Sequence, residues 1–152
     1  MQLIPEMTYR ETIAGPWGPT VGNPLGDRLC WLVPSATITG PRIDLTLAMP
    51  GADWIRLGSD GVRRPDQRLV FAAEDGAIVL LRYDVAVIRE SSAFLAALQS
   101  GAETSFEEQY IRMSPQFETG ATELGWLTSS LWIGEGRLAG NHQIEYRIHR
   151  VD

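Results

Sequence analysis

Two Asp-Gly dipeptides, Asp60-Gly61 and Asp75-Gly76, restrict this chain more than any other feature. Asp-Gly readily takes the left-handed backbone of a tight hairpin turn, so each marks a reversal between antiparallel strands. Residues 68–74, between the two turns, alternate: Leu69, Phe71 and Ala73 share one face, and Arg68, Val70 and Ala72 the other. Period two is the signature of a strand, and two such turns around one strand indicate an antiparallel meander.

The pattern extends along the chain. Residues 42–49 place Ile43, Leu45, Leu47 and Met49 on one side and Arg42, Asp44 and Thr46 on the other. Further strands are expected over 2–14, 28–33, 36–39, 52–58, 77–88, 109–113, 116–119 and 125–134, with a closing strand around Ile144, Tyr146 and Ile148. Residues 15–27, GPWGPTVGNPLGD, read as a loop because Gly and Pro punctuate them, with Trp17 on the rim or over a cavity mouth. Gly134-Glu135-Gly136 reads as a turn. Residues 90–100 form the one convincing helix, with Ser91 or Ser92 as cap, Phe94, Leu95 and Leu98 at helical spacing, and Gly101 as the stop. So many short strands, linked by hairpins and joined by one short helix, favour an all-β antiparallel barrel or strongly curled sheet, since closure removes free strand edges.

Composition narrows the function. At 152 residues the chain fits one domain. A net charge of −6 argues against nucleic acid, which wants a basic face. Cys30, the single cysteine, forms no internal disulfide, as suits a reducing cytoplasm. The first residues lack the basic start and apolar run of a secretory signal, and no apolar run approaches the ~18 residues of a membrane helix. The expectation is a cytoplasmic protein with no membrane partner.

Metal and cofactor chemistry find no motif. His142 and His149 are the only histidines and read as surface residues, Cys30 reads as an inert buried thiol, and there is no phosphate loop, dinucleotide fingerprint or nucleophile elbow. What remains is acid–base chemistry among aromatics. Asp53 shares the apolar face of its strand with Ile55 and Leu57, where a carboxylate is costly unless partnered. It is either a turn cap after Gly51 or a pocket acid. The aromatic-rich residues 109–136 carry Arg112, Glu118 and Thr128 among Tyr110, Phe117, Trp126 and Trp132. On the pocket reading Asp53 and Glu118 exchange protons, Arg112 and Arg68 clamp an oxygen or anion, and Trp54, Tyr83, Tyr110, Trp126 and Thr128 line the walls. On the bland reading Arg112 and Glu118 are a structural ion pair and the rings are core.

Gly51-Ala52-Asp53-Trp54, Asp60-Gly61, Asp66-x-Arg68, Asp75-Gly76, Tyr110-Ile111-Arg112 with Pro115, Phe117-Glu118-Thr119, and Trp126-Leu127 through Gly134-x-Gly136 occur in that order. This succession resembles the domain-of-unknown-function 3237 family (UPF0311) over nearly the whole chain. The resemblance implies an antiparallel barrel of the calycin or allene-oxide-cyclase type, associating into homo-oligomers. Thr128 stands where that family usually has Asn, Leu124 where it has an aromatic, and LLRYDVAVIRE lacks its usual Asn-x-Gly, which suggests a less polar ligand. The expected function is a cofactor-free isomerase, lyase or cyclase acting on an apolar, oxygenated small molecule, or a non-catalytic barrel that binds one.

Overall fold

A computed structural model describes residues 1–152. The strands are β1 (Leu3–Trp17), β2 (Arg28–Gly40), β3 (Ile43–Leu47), β4 (Gly51–Leu57), β5 (Val62–Arg64), β6 (Gln67–Ala72), β7 (Ile78–Tyr83) and β8 (Ala86–Arg89). After the helix α1 (Ser92–Ser100) come β9 (Tyr110–Met113), β10 (Gln116–Glu118), a 3-10 helix (Thr122–Leu127), β11 (Leu131–Leu138) and β12 (Gln143–Val151). All twelve strands join one sheet in the order β1-β12-β11-β9-β8-β5-β4-β2-β3-β6-β7-β10. The additional β1–β2 and β4–β6 pairings close it into an antiparallel barrel.

Alternation carries the core. β1 turns Met7, Tyr9, Glu11 and Ile13 inward, β4 turns Asp53 and Ile55, β6 turns Gln67, Leu69 and Phe71, and β9 turns Ile111 and Met113. Both Asp-Gly sites are reversals, with Gly61 and Gly76 at positive φ. The helix also forms as its caps demand: the Ser91 hydroxyl accepts from the Phe94 backbone N–H at 3.1 Å, and Gly101 ends it with φ of 68°.

Four local expectations give way. The first strand runs on through the Gly-Pro segment to Trp17, because Trp17 pairs with Cys30. Residues 28–40 make one strand, with a register shift against β1 where two strands were expected. Residues 77–88 break at Asp84-Val85 into β7 and β8. Residues 122–127 wind into a 3-10 helix, whose three-residue turn puts Leu124 and Leu127 on the same buried side.

The two barrel ends are closed differently. Trp132 lies at the start of β11 and Leu138 at its finish, roughly 20 Å apart at strand rise. At the Trp132 end the 3-10 helix is the plug: the Trp132 indole N–H donates to Leu127 O at 2.9 Å, and Phe117 and Trp126 meet the Trp132 ring edge-on at 5.9 and 5.6 Å. The Arg42 guanidinium sits 3.8 Å over Trp126. The aromatic-rich stretch therefore fills an end of the barrel. Gly134 and Gly136 are strand residues, not a turn, and both face inward. A Cβ on Gly136 would lie 2.7 Å from the Ile111 side chain and 2.8 Å from the Tyr146 ring, so that space is already taken. At the Leu138 end, α1 lies across the mouth with Phe94 as its one fully buried side chain. No helix is long and apolar enough to cross a membrane.

Candidate active site

Beneath α1 the interior turns polar. Glu11, 1% exposed on β1, presents Oε2 to the Tyr9 hydroxyl and to Gln67 Nε2, the latter at 2.8 Å. The same Tyr9 oxygen is 2.8 Å from Gln67 Oε1. One phenol proton cannot serve two acceptors. A proton on Glu11 resolves the conflict: Glu11 donates to Tyr9, and Tyr9 donates to Gln67. Burial pushes the Glu11 carboxyl up to about 7, held back only partly by the polar groups of Tyr9, Gln67 and Tyr83 around it.

Three tyrosines surround this carboxyl. Tyr146 stacks on Tyr9 at 5.4 Å, and Tyr83 lies 6.2 Å from Tyr146. Burial first, and the Glu11 charge second, push all three phenols well above 10, so they stay neutral. Glu11 Oε1 and the Tyr83 hydroxyl are buried without a hydrogen bond of good geometry.

Asp53 is the second acid. It is 6% exposed on β4, and its Oδ1 accepts from the Asp66 backbone N–H at 3.2 Å. Burial and then the neighbouring Glu11 charge raise its pKa well above the ordinary carboxylate range. Glu11 and Asp53 thus form a coupled pair that resists double ionisation.

Asp53 alone of the pair reaches a cavity. That cavity, about 20 Å³, is walled by Ile13, Trp31, Ile55, Ile88, Ile144, Phe94 and Leu98, with Arg63 at its side. It has room for about one water. An open cleft of about 470 Å³ adjoins it, sharing Trp31, Arg63 and Leu98 and bounded by Gly15, Pro16, Leu95, Gln99 and His142. No group of three His, Cys, Asp or Glu side chains could hold a metal ion.

Of the residues singled out from the sequence, only Asp53 and Tyr83 enter this interior. Glu118 is exposed on the outer face of β10. Arg112, between inward Ile111 and Met113, points outward to Glu135 at 3.7 Å, so the Arg112–Glu118 pair does not form. Arg68 is exposed beside inward Leu69, and Trp54 is 54% exposed beside Asp53. Tyr110 lies outside under Arg89 at 3.8 Å and Arg112 at 5.0 Å. Trp126 belongs to the opposite plug, and exposed Thr128 caps the 3-10 helix by donating to Gly125 O at 2.9 Å. Cys30 is half-buried on the outer face. Glu11, Tyr9, Gln67, Tyr146 and Arg63 escaped the sequence reading. The alternation Met7-Tyr9-Glu11-Ile13 was the available signal for the first two.

The same barrel occurs in solved structures. The chain superposes on a conserved protein of unknown function from Rhodopseudomonas palustris with TM-score 0.84 at 20% identity, over 99% of this chain and 97% of that one. A β-barrel-like protein from Acinetobacter baumannii AYE gives 0.78 at 22% identity over 99% and 96%. An enzyme from Penicillium herquei gives 0.69 at 16% over 99% and 94%. At these identities the likeness is one of fold. No curated protein matches the chain. The family model described as protein of unknown function (DUF3237) matches residues 1–151, so the chain belongs to the DUF3237 family.

Proposed function

We propose that the protein is a cofactor-free enzyme of the isomerase, lyase or cyclase type, moving a proton on an apolar, oxygen-bearing small molecule held beneath α1. The observation that carries this reading is the position of Asp53, the one carboxyl lining a cavity whose walls are apolar but for Arg63, with its pKa raised by burial and by Glu11. A carboxyl whose pKa is raised by an apolar site is a stronger base when ionised and a proton donor when neutral. Glu11, anchored by Tyr9 and Gln67, adjusts the proton affinity of Asp53 through charge without reaching the cavity. The polar interior is compatible with the description of one fold neighbour as an enzyme, which concerns that protein. A substrate exceeds the cavity, so α1 has to shift outward, pivoting the Phe94 and Leu98 side chains from the mouth.

The test is independent of the natural substrate. A desolvated carboxylate accelerates the ring opening of 5-nitrobenzisoxazole, removing the C3 proton as the N–O bond breaks to give a nitrile and a phenolate. Wild-type protein should exceed Asp53→Asn by about tenfold or more, with a rate that rises through a midpoint above the ordinary carboxylate range. Equal rates in the two proteins would remove Asp53 from proton transfer and leave a binding barrel as the better account.

A further inference from the structure

Arg63 is an inward-facing arginine that nothing in the acid pair explains. Its register partners are Leu57 on β4 and Ile88 on β8, and Ile88 in turn pairs with Ile111. This is a row of apolar residues aimed into the barrel, and a cation there is expensive unless it is employed. Its side chain is only 11% exposed, and one interaction holds it: Nε donates to Glu90 Oε2 at 2.5 Å. The guanidinium also lies 5.8 Å from the Phe94 ring. The two terminal nitrogens donate to no protein acceptor, while the side chain lines both the inner cavity and the outer cleft.

A guanidinium fixed through Nε and left with a free fork is pre-organised for a bidentate oxygen pair. We infer that Arg63 is the recognition residue for an anionic head group, a carboxylate or comparable oxyanion, on a substrate whose apolar body lies in the cleft along Trp31, Leu95 and Leu98. This rests on the ligand site proposed above and adds its substrate class. Arg63 and Asp53 line the same cavity, so the head group and the proton-transfer group address the same end of the molecule. Glu90 serves as a placeholder anion, orienting the guanidinium while costing some affinity for the incoming one.

Calorimetric titration with 2-naphthoate and with 2-naphthalenemethanol, matched in body and differing in charge, tests this at pH 7. Wild type should bind the carboxylate about tenfold tighter than the alcohol. Arg63→Met keeps the apolar stem and should abolish that preference, leaving alcohol affinity within about threefold. Glu90→Gln should strengthen naphthoate binding and supplies an independent arm if Arg63→Met misfolds. Equal affinities in wild type, or a preference that survives Arg63→Met, overturns the assignment. Binding of neither compound overturns it together with the ligand site beneath α1. Arg63-dependent naphthoate binding without benzisoxazole turnover leaves the assignment standing and removes only the proton-transfer role.

Discussion

Gln67 and Glu11 stand 56 positions apart and meet inside the barrel, Gln67 Nε2 donating to Glu11 Oε2 at 2.8 Å. The contact exists only because β6 and β1 face each other across the interior, and it holds a carboxyl where solvent cannot reach. Its thermodynamic consequence is a pH dependence of opposite sign to the usual salt-bridged carboxylate.

Glu11 has its folded-state pKa raised from about 4.5 to about 7. The folded protein therefore binds this proton more tightly than the unfolded chain. The contribution of Glu11 to stability is full below about pH 4.5 and is lost as pH rises through about 7, by about 3 kcal/mol in total. Glu11→Gln keeps the shape of the side chain and both a donor and an acceptor but cannot ionise. Urea unfolding should show the variant more stable than wild type at pH 8 and a shallower fall between pH 5 and pH 8. A steeper fall in the variant would contradict the protonated carboxyl.

Phe94 is the single fully buried side chain of α1, and it closes the cavity. Phe94→Ala should weaken helix docking by about 3 kcal/mol. Hydrogen exchange should then show α1 amides losing protection by about a hundredfold while β1 and β12 amides keep theirs. Uniform loss across the barrel would mean that α1 is an integral part of the fold and not a movable cover.

Gly136 faces inward against Ile111 and Tyr146. Gly136→Ala should cost about 1–3 kcal/mol by overpacking, and the displaced Tyr146 ring should perturb Tyr9 through their stack. Thermal unfolding reads the first effect and near-ultraviolet circular dichroism the second. An unchanged melting temperature would show that the ring has room to yield.

Arg112 and Glu118 face away from the interior. Arg112→Gln and Glu118→Gln should each alter stability by no more than about 0.5 kcal/mol and leave benzisoxazole turnover unchanged. A loss of turnover in either would return these residues to the site.

The barrel was legible from strand alternation and from the Asp-Gly turns, because both are local. The helix was legible from Ser91 and Gly101 for the same reason. The site was legible only at Asp53, where a carboxylate interrupts an apolar face, and at Tyr83. The same alternation, applied strictly, sends Trp54 outward beside Asp53, Arg112 outward between Ile111 and Met113, and Arg68 outward beside Leu69. Treating aromatic and arginine side chains as pocket walls by type alone overrode that parity. Glu11 was hidden differently. Its strand row includes Tyr9 and is flanked by polar residues, so it reads as scattered, and its partner Gln67 comes near only through closure of the barrel. Arg63 follows a turn in a three-residue strand, too short for alternation to declare a face. Residues 125–127, the end of the 3-10 helix, read as strand because Trp126 and Leu127 carry enough apolar weight for either.

The central claim is that Asp53 is a cavity-lining carboxyl whose pKa is raised by burial and by the Glu11 charge. Carbon-13 NMR titration of side-chain carboxyls, with Asp53 assigned by its disappearance in Asp53→Asn, measures this directly. The account predicts a midpoint well above the ordinary aspartate value and a downward shift of that midpoint in Glu11→Gln, where the neighbouring charge is gone. An Asp53 that titrates at or below about 4, indifferent to Glu11→Gln, would contradict it.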